Sequence, residues 1–145
     1  MSDSRLSIVA EPPVAYRVLP PLVADCNMLA AMLFQEAQRD DAEQRIAERQ
    51  INAPSLLDYE LASVALKKAR LGASQVAVEG LARYAAMSIR LHSVDIDEVL
   101  GLAGRYDLSA YDAAYLWLAA DLKAPLATFD RKLGAAAKLH LSRLE

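Results

Sequence analysis

Two aspartates of this sequence each stand at the end of a short apolar run. Asp25 follows Leu22-Val23-Ala24, and Asp130 follows Leu126-Ala127-Thr128-Phe129. An apolar run of this length is typical of a buried strand, and ligands of parallel sheets bind at the carboxyl ends of the strands. Each aspartate could instead cap the helix that follows it. The occurrence of two such aspartates favours a shared site.

A third acid, Asp112, is the only charge in an apolar helical run from Leu108 to Ala120. A helix that is apolar nearly all round is a buried helix. A carboxylate on such a helix needs a cation, a metal ion or a hydrogen-bond donor to offset the cost of its burial. The sequence therefore predicts that Asp112 has a partner.

A fourth acid, Glu60, belongs to a predicted helix that ends before Gly72. At about 100° per residue, the core stripe of this helix consists of Leu57, Leu61 and Val64. Glu60 lies at one edge of that stripe, whereas Asp58 lies on the other side. We therefore expect Glu60 to lean inward. A solvated Glu60 paired with Lys67 or Ser63 is the alternative.

Four acids that converge without a basic residue among them would repel one another and could not all ionise cheaply. Mg²⁺ or Mn²⁺ would remove this repulsion, since these ions prefer oxygen ligands and use a few carboxylates together with water. One or two such ions can activate a water and stabilise the leaving oxygen in phosphodiester cleavage. This chemistry needs no catalytic His, Ser or Cys. His92 and His140 are therefore expected to be structural or exposed, and Cys26, with no His near it in sequence, to be a small buried residue.

The elements that must position these acids alternate between strands and helices. Pro54 is placed to open a helix, Ser74 to cap the next one, and Gly72 and Gly104 to end helices. Strands are predicted at 22–25, 51–53, 89–94 and 125–130, and helices at 28–37, 40–49, 54–71, 74–87, 95–105, 109–120 and 131–139. The alternation predicts an α/β fold with a mostly parallel, short-stranded sheet and helices on both faces.

Length and composition fit one domain of 145 residues, with a leader at 1–20 and the folded domain at 21–145. No apolar run approaches the roughly 18 residues of a membrane span. The net charge of -3 argues against a protein that coats nucleic acid without specificity. The single cysteine fits a reducing cytoplasm. Loop motifs that hold nucleotide phosphates are absent.

The sequence around the four acids resembles the PIN-domain nucleases, and among them the VapC-type toxins of toxin–antitoxin pairs. The similarity spans about residues 22–139 and is most specific where the third motif is followed by the fourth. The motifs are Leu22-Val23-Ala24-Asp25-Cys26-Asn27, Ala53-Pro54-Ser55-Leu56-Leu57-Asp58-Tyr59-Glu60, Leu108-Ser109-Ala110-Tyr111-Asp112-Ala113-Ala114-Tyr115 and Ala127-Thr128-Phe129-Asp130.

The resemblance implies a three-layer PIN-like fold and assigns the metal-binding and catalytic acids. These acids are Asp25, Glu60, Asp112 and Asp130. Thr128 matches the hydroxyl residue that precedes the last acid, and Asn27 matches a small polar position after the first acid. Ser63 departs from the family, which more often has Asn at this position.

The resemblance also implies a Mg²⁺-dependent (or Mn²⁺-dependent) endoribonuclease, an RNA substrate, a homodimer and a cognate antitoxin. An acidic pocket would suit an inserted Arg or Lys of that antitoxin. Phosphate contacts could come from basic residues near the acids, although simple solvation is the commoner role of such side chains. The candidates are Lys67, Lys68, Arg70, Arg131 and Lys132.

Two other classes of function compete with this interpretation. One is a PIN-like module that keeps the acids but acts through protein contacts, or a nuclease that processes nucleic acid without being a toxin. The other is an aspartyl-phosphate phosphatase or a receiver-like domain that uses Asp25. The phosphatase pattern requires a second Asp at the position of Asn27, and the acidic pair and Lys of a receiver are absent. The second class is therefore disfavoured.

Overall fold

Short strands alternate with helices in the computed structural model, which describes residues 8–13 and 18–145. In chain order, the elements are β1 (Pro21–Ala24), α1 (Cys26–Leu33), α2 (Arg39–Ile46), β2 (Gln50–Pro54), α3 (Leu57–Arg70), α4 (Ser74–Ala86), β3 (Arg90–His92), α5 (Ile96–Tyr106), α6 (Ala110–Leu122), β4 (Leu126–Ala127) and α7 (Arg131–Leu141). Every predicted strand and helix is present, although several boundaries differ.

The four strands form one parallel sheet in the order β3-β2-β1-β4. Val23 of the central strand β1 pairs with Asn52 of β2 on one side and with Leu126 of β4 on the other. Because all strands run in the same direction, their carboxyl ends meet at one edge. The predicted α/β fold with a parallel sheet is confirmed.

The packing of helix α6 explains why its sequence is apolar nearly all round. Tyr115 and Leu118 of this helix belong to a large buried cluster that includes residues of β1, β2 and α1–α4. Ala113 and Leu116 belong to a second buried cluster, shared with α5 and α7. The helix is therefore covered on two sides, and each fully buried leucine contributes about 1.5–3 kcal/mol. Its first turn reaches the edge where the strands end.

Two predictions for the start of a helix were wrong. Pro54 does not open α3: it is the last residue of β2 and pairs in register with His92 of β3. Ser74 does not cap α4, because Ala73 occupies the N-cap and no side chain bonds to the free backbone N–H groups. The pairing of β2 with β3 outweighs the preference of proline for a helix start.

Some predicted elements differ in length from those observed. The helix predicted at 28–37 ends at Leu33 and Phe34 is its C-cap. The helix predicted to end near Gly104 continues to Tyr106, where Asp107 takes up the left-handed conformation with φ 53°. Of the strand predicted at 125–130, only Leu126–Ala127 is paired as β4.

The predicted leader at 1–20 falls largely outside the described residues. Of its residues that the structure describes, 8–13 and 18–20, none lies in a helix or a strand. Pro20 accepts a backbone hydrogen bond from Gln50, which attaches the end of this segment to β2. Within the described part of the chain, no helix is long and apolar enough to cross a membrane.

Candidate active site

An open cleft of about 660 Å³ lies at the carboxyl ends of the strands. Three of the predicted acids line it, and among the described residues no lysine, arginine or histidine does. The lining residues are Asp25, Cys26, Asn27, Leu56, Tyr59, Glu60, Ser63, Val64, Tyr111, Asp112 and Tyr115. The cleft therefore presents a negative wall to any ligand.

Asp25 is held at the floor of the cleft by both of its carboxylate oxygens. It is the N-cap of α1, where Oδ1 accepts a hydrogen bond from the Met28 backbone N–H at 2.9 Å. Oδ2 accepts one from the Thr128 hydroxyl. The side chain is only 3% exposed. Burial raises its pKa above the ordinary value, as do the charges of Asp112 and Asp130, while the two hydrogen bonds oppose this rise.

Thr128 and Asp130 follow strand β4 at the same edge of the sheet. The Thr128 hydroxyl accepts a hydrogen bond from the backbone N–H of Asp130 at 2.9 Å and donates one to Asp25. The Asp130 carboxylate caps α7 through the Leu133 backbone N–H at 2.8 Å. Asp130 does not line the cleft, but its charge raises the pKa of both Asp25 and Asp112. Both strand-end aspartates are therefore helix caps and members of one charge cluster.

Asp112 lies in the first turn of α6, where it is partly exposed to the cleft. Ser109 caps the helix by accepting a hydrogen bond from the Asp112 backbone N–H at 3.1 Å. Partial burial and the charge of Asp130 raise the pKa of Asp112, whereas Ser109 and Lys132 lower it. The charges and polar groups that act on this acid are therefore a repelling carboxylate, a hydroxyl and one lysine.

Glu60 faces the cleft from the start of α3, on the inner side of the helix as predicted. It pairs with neither Lys67 nor Ser63; its Oε1 accepts a hydrogen bond from the Tyr115 hydroxyl at 2.7 Å. Burial raises the pKa of Glu60, the Tyr115 hydrogen bond lowers it, and the charges of Asp112 and Asp25 raise it.

All four acids lie at the N-terminal ends of helices, α1, α3, α6 and α7. The positive end of a helix dipole stabilises a carboxylate there, which offsets part of the mutual repulsion. Among the described residues, no three His, Cys, Asp or Glu side chains are close enough to hold a metal ion as a ready-made cage. The donor set is one of hard carboxylate oxygens around an open cleft. It fits Mg²⁺, which often binds through one or two carboxylates and keeps several waters.

Of the remaining residues predicted for the site, the small polar ones line the cleft and the basic ones do not. Asn27 and Ser63 line the cleft as exposed side chains. None of the predicted phosphate-binding residues lines it. Lys68 pairs with Glu36 at 3.3 Å, and Lys132 pairs with Asp107 at 3.0 Å. Lys67, Arg70 and Arg131 are exposed.

The two histidines and the cysteine make structural contacts. His92 Nε2 lies 2.8 Å from Oδ1 of the buried Asn52, and His140 Nδ1 lies 2.9 Å from the Tyr106 hydroxyl. Cys26 is buried, and burial raises the pKa of its thiol to about 12. A thiol with such a pKa is not a reactive nucleophile at neutral pH.

Three tyrosines at the cleft were not singled out from the sequence. Tyr115 is 1% exposed, whereas Tyr59 and Tyr111 are 80% and 65% exposed. Tyr59 precedes Glu60 in the chain and Tyr111 precedes Asp112. A buried tyrosine hydroxyl needs a hydrogen-bond partner. The position of Tyr115 on the apolar helix, three residues after Asp112, was therefore the sequence signal that could have pointed to a role at the site.

Comparison with known families identifies the class of protein that has this sheet order, this arrangement of helices and this acidic cleft. The family model described as PIN domain matches residues 22–139. The chain belongs to the PIN-domain family. Its relatives within that family are VapC ribonucleases, so the resemblance noted in the sequence is confirmed.

Two relatives show the extent of the match. VapC3 of Pyrobaculum aerophilum is 29% identical over 119 residues, which cover 77% of this chain and 91% of that protein. VapC9 of Mycobacterium tuberculosis is 35% identical over 120 residues, with 77% and 87% covered.

Two solved structures have a similar fold. A Pyrobaculum aerophilum protein superposes with a TM-score of 0.60 at 25% identity, covering 86% of this chain and 95% of that one. Mycobacterium tuberculosis VapC20, described as a toxin that cleaves the sarcin–ricin loop, superposes with a TM-score of 0.61 at 18% identity. That comparison covers 79% of this chain and 94% of VapC20.

Proposed function

We propose that the protein is an endoribonuclease that hydrolyses RNA phosphodiesters with Mg²⁺, and that it is the toxin of a toxin–antitoxin pair. Its metal-binding and catalytic residues would be Asp25, Glu60, Asp112 and Asp130. Mn²⁺ has the same ligand preference and could replace Mg²⁺. The names of the VapC relatives support ribonuclease activity, and PIN-domain nucleases generally depend on a divalent metal ion.

The observation that carries this proposal is the convergence of carboxylates from four separate helix starts on one edge of the sheet. Burial and mutual repulsion raise the pKa of Asp25, of Glu60 and of Asp112. Ionising these carboxyl groups together costs free energy unless a cation is bound. Within residues 8–13 and 18–145, no lysine or arginine lines the cleft to supply that charge.

Each acid has a defined role in this proposal. Asp25, fixed by the Met28 backbone and the Thr128 hydroxyl, and the more exposed Asp112 and Glu60 present oxygens to the cleft. Asp130 adds negative charge at its edge. The chemistry that a bound Mg²⁺ ion supplies is activation of a water and neutralisation of charge on the phosphate.

The basic residues around the cleft have a secondary role. The charge of Lys132 lowers the pKa of Asp112, although Lys132 is paired with Asp107 and does not line the cleft. Lys67 and Arg131 are exposed, so that they could contact phosphates beyond the cleft. Lys68 is occupied by Glu36 and is the weakest candidate of this set.

The partners proposed for this chain follow from the family. A cognate antitoxin would place an Arg or Lys side chain in the cleft, because the described part of the cleft wall carries three acids and no base. A homodimer is proposed on the family resemblance alone. RNA as the substrate would place the protein in the cytoplasm, where the single thiol of Cys26 stays reduced.

The decisive experiment compares RNA cleavage by the wild type and by Asp112→Asn in the presence of Mg²⁺. Loss of one carboxylate that holds the metal ion should lower the cleavage rate by on the order of 100-fold or more. Asp121→Asn is the matched control, since Asp121 is an exposed acid at the other end of α6. EDTA should abolish wild-type cleavage, and Mn²⁺ should restore it.

Undiminished cleavage by Asp112→Asn would remove this acid from the mechanism. A wild-type protein that never cleaves RNA, with or without added metal, would favour the binding-module alternative. Cleavage in the absence of a toxic effect on growing cells would favour a processing nuclease over a toxin.

A further inference from the structure

Tyr115 combines a buried ring with a hydroxyl that reaches the cleft. The residue is 1% exposed and packs in the large core cluster, yet it is also one of the lining residues. A buried phenol hydroxyl needs a hydrogen-bond partner. Here the partner is Glu60 Oε1 at 2.7 Å, on a residue 55 positions earlier in the chain.

Glu60 differs from the strand-end acids in how its carboxylate is held. Asp25 and Asp130 each accept a hydrogen bond from a backbone N–H group of the helix that they cap. Within the described part of the chain, the Tyr115 hydroxyl is the only hydrogen-bond donor to the Glu60 side chain. A glutamate side chain loses rotamer entropy when it is fixed, so an unrestrained Glu60 would often point away from the cleft.

The same hydrogen bond connects two helices that have different main packing partners. Helix α3 packs chiefly against α4, whereas α6 packs chiefly against α5. Tyr115 lies three residues after Asp112 on α6, which is about one helical turn. The position of the Glu60 carboxylate relative to Asp112 is therefore set in part by this single contact.

We propose that the Tyr115 hydroxyl is a positioning group for metal binding, which holds Glu60 Oε1 so that the second oxygen faces the cleft beside Asp112. This inference rests on the proposed function, in which Glu60 helps to hold the divalent ion. Tyr115 itself touches neither the metal ion nor the RNA. Its hydroxyl restricts the rotamers of Glu60 and keeps the first turns of α3 and α6 in a fixed relation.

The test is the Tyr115→Phe variant, which keeps the buried ring and removes only the hydroxyl. Mn²⁺ binding is measured by electron paramagnetic resonance of the free ion, without RNA. We expect affinity to fall by about 10-fold to 100-fold, as for other groups that orient metal ligands. At saturating Mn²⁺ the rate of RNA cleavage should recover most of its wild-type value, because the ligand itself is still present.

Tyr84→Phe provides the matched control. The Tyr84 hydroxyl donates to the Asp58 carboxylate at 2.7 Å, so this variant also removes a tyrosine–carboxylate hydrogen bond to α3. Neither Tyr84 nor Asp58 lines the cleft. Its Mn²⁺ affinity should equal that of the wild type, whereas a fall equal to that of Tyr115→Phe would overturn the inference.

Glu60→Gln separates failure of the inference from failure of the proposed function. If Glu60→Gln weakens Mn²⁺ binding and Tyr115→Phe does not, the inference is wrong and the metal site stands. If the wild type binds no Mn²⁺, or Glu60→Gln leaves the affinity unchanged, the proposed role of Glu60 fails and the inference fails with it. In the Glu60→Gln background, Tyr115→Phe should have no further effect.

Discussion

The candidate site has two halves that are built in different ways. The strand-borne half consists of Asp25, Thr128 and Asp130, and its side chains are fixed by hydrogen bonds to the backbone and to one another. The helix-borne half consists of Glu60 and Asp112, which lie inside the first turns of α3 and α6. The Tyr115 hydroxyl donates a hydrogen bond to Glu60, and the Ser109 hydroxyl accepts one from the backbone N–H of Asp112.

The difference shows that one carboxylate can have both a structural and a chemical role. Each strand-borne aspartate uses an oxygen to cap a helix, which stabilises the fold whether or not a metal ion is present. The helix-borne acids cap no helix. We therefore expect changes in the strand-borne half to affect stability and activity together, and changes in the helix-borne half to affect chiefly activity.

The largest effect on stability is expected for Thr128→Val. This change removes the donor to Asp25 and the acceptor for the Asp130 backbone N–H. The free energy of unfolding should fall by about 2–4 kcal/mol, since one of the two lost hydrogen bonds involves a carboxylate. Urea denaturation in EDTA measures it. Thr128→Ser keeps the hydroxyl and should lose less than half as much, and equal losses in both variants would contradict this account of the strand-borne half.

A smaller effect on stability is expected for Ser109→Ala, which changes the cap of α6 and neither acid of the helix-borne half. The change removes the N-cap of α6 and should cost about 1 kcal/mol of stability. It should also raise the pKa of Asp112, which Ser109 lowers. Ser74→Ala is the control, because Ser74 is the first residue of α4 but makes no capping hydrogen bond. Ser74→Ala should leave the urea midpoint nearly unchanged, and a loss like that of Ser109→Ala would contradict the assignment of the cap.

The smallest effect is expected in the pH dependence of stability without metal. The pKa of Asp25 is raised above its ordinary 3.8 in the folded protein. The folded state therefore binds more protons than the unfolded state just above that pH, and stability falls as the pH rises through the folded-state pKa. The size of this fall is limited, because hydrogen bonds from Thr128 and Met28 oppose the effect of burial.

Asp25→Asn should consequently show a smaller change in urea midpoint between about pH 4 and about pH 7 than the wild type. Asp112→Asn should reduce the change less, because Asp112 is more exposed than Asp25. Asp121→Asn should behave as the wild type. Equal effects of Asp25→Asn and Asp112→Asn would contradict the expectation that the more buried half contributes more to the pH dependence of stability.

The comparison also explains which parts of the molecule the sequence could predict. An apolar run that ends in an acid specifies a strand, its carboxyl end and the cap of the next helix, so Asp25 and Asp130 could be placed from local pattern alone. Helical periodicity separated Glu60 from Asp58. The bond between Tyr115 and Glu60 could not be predicted, because it joins two helices whose relative position depends on the packing of the whole core.

The sequence predictions that were wrong failed because they did not include the packing or the backbone conformation around the residue. The preference of proline for a helix start predicts that Pro54 opens α3, but its pairing with His92 of β3 is stronger. Ser74 was assigned as a cap from its residue type, although cap formation depends on the backbone conformation of Ala73 before it. The ion pairs of Lys68 and Lys132 depend on Glu36 and Asp107, which are distant in sequence. Local patterns could single out the acids near the strand ends, but they could not predict which acids pair with these two lysines.

The contact between Asp25 and Thr128 has a consequence for protein synthesis. It joins residues 103 positions apart, and the central strand β1 lies beside β4, the last strand of the sheet. Domains generally fold as units as the chain is made. A nascent chain on the ribosome that ends before Thr128 contains three of the four acids but lacks the threonine that holds Asp25 and the fourth acid, Asp130. The order of the elements therefore delays assembly of the complete site until nearly the whole domain has been translated.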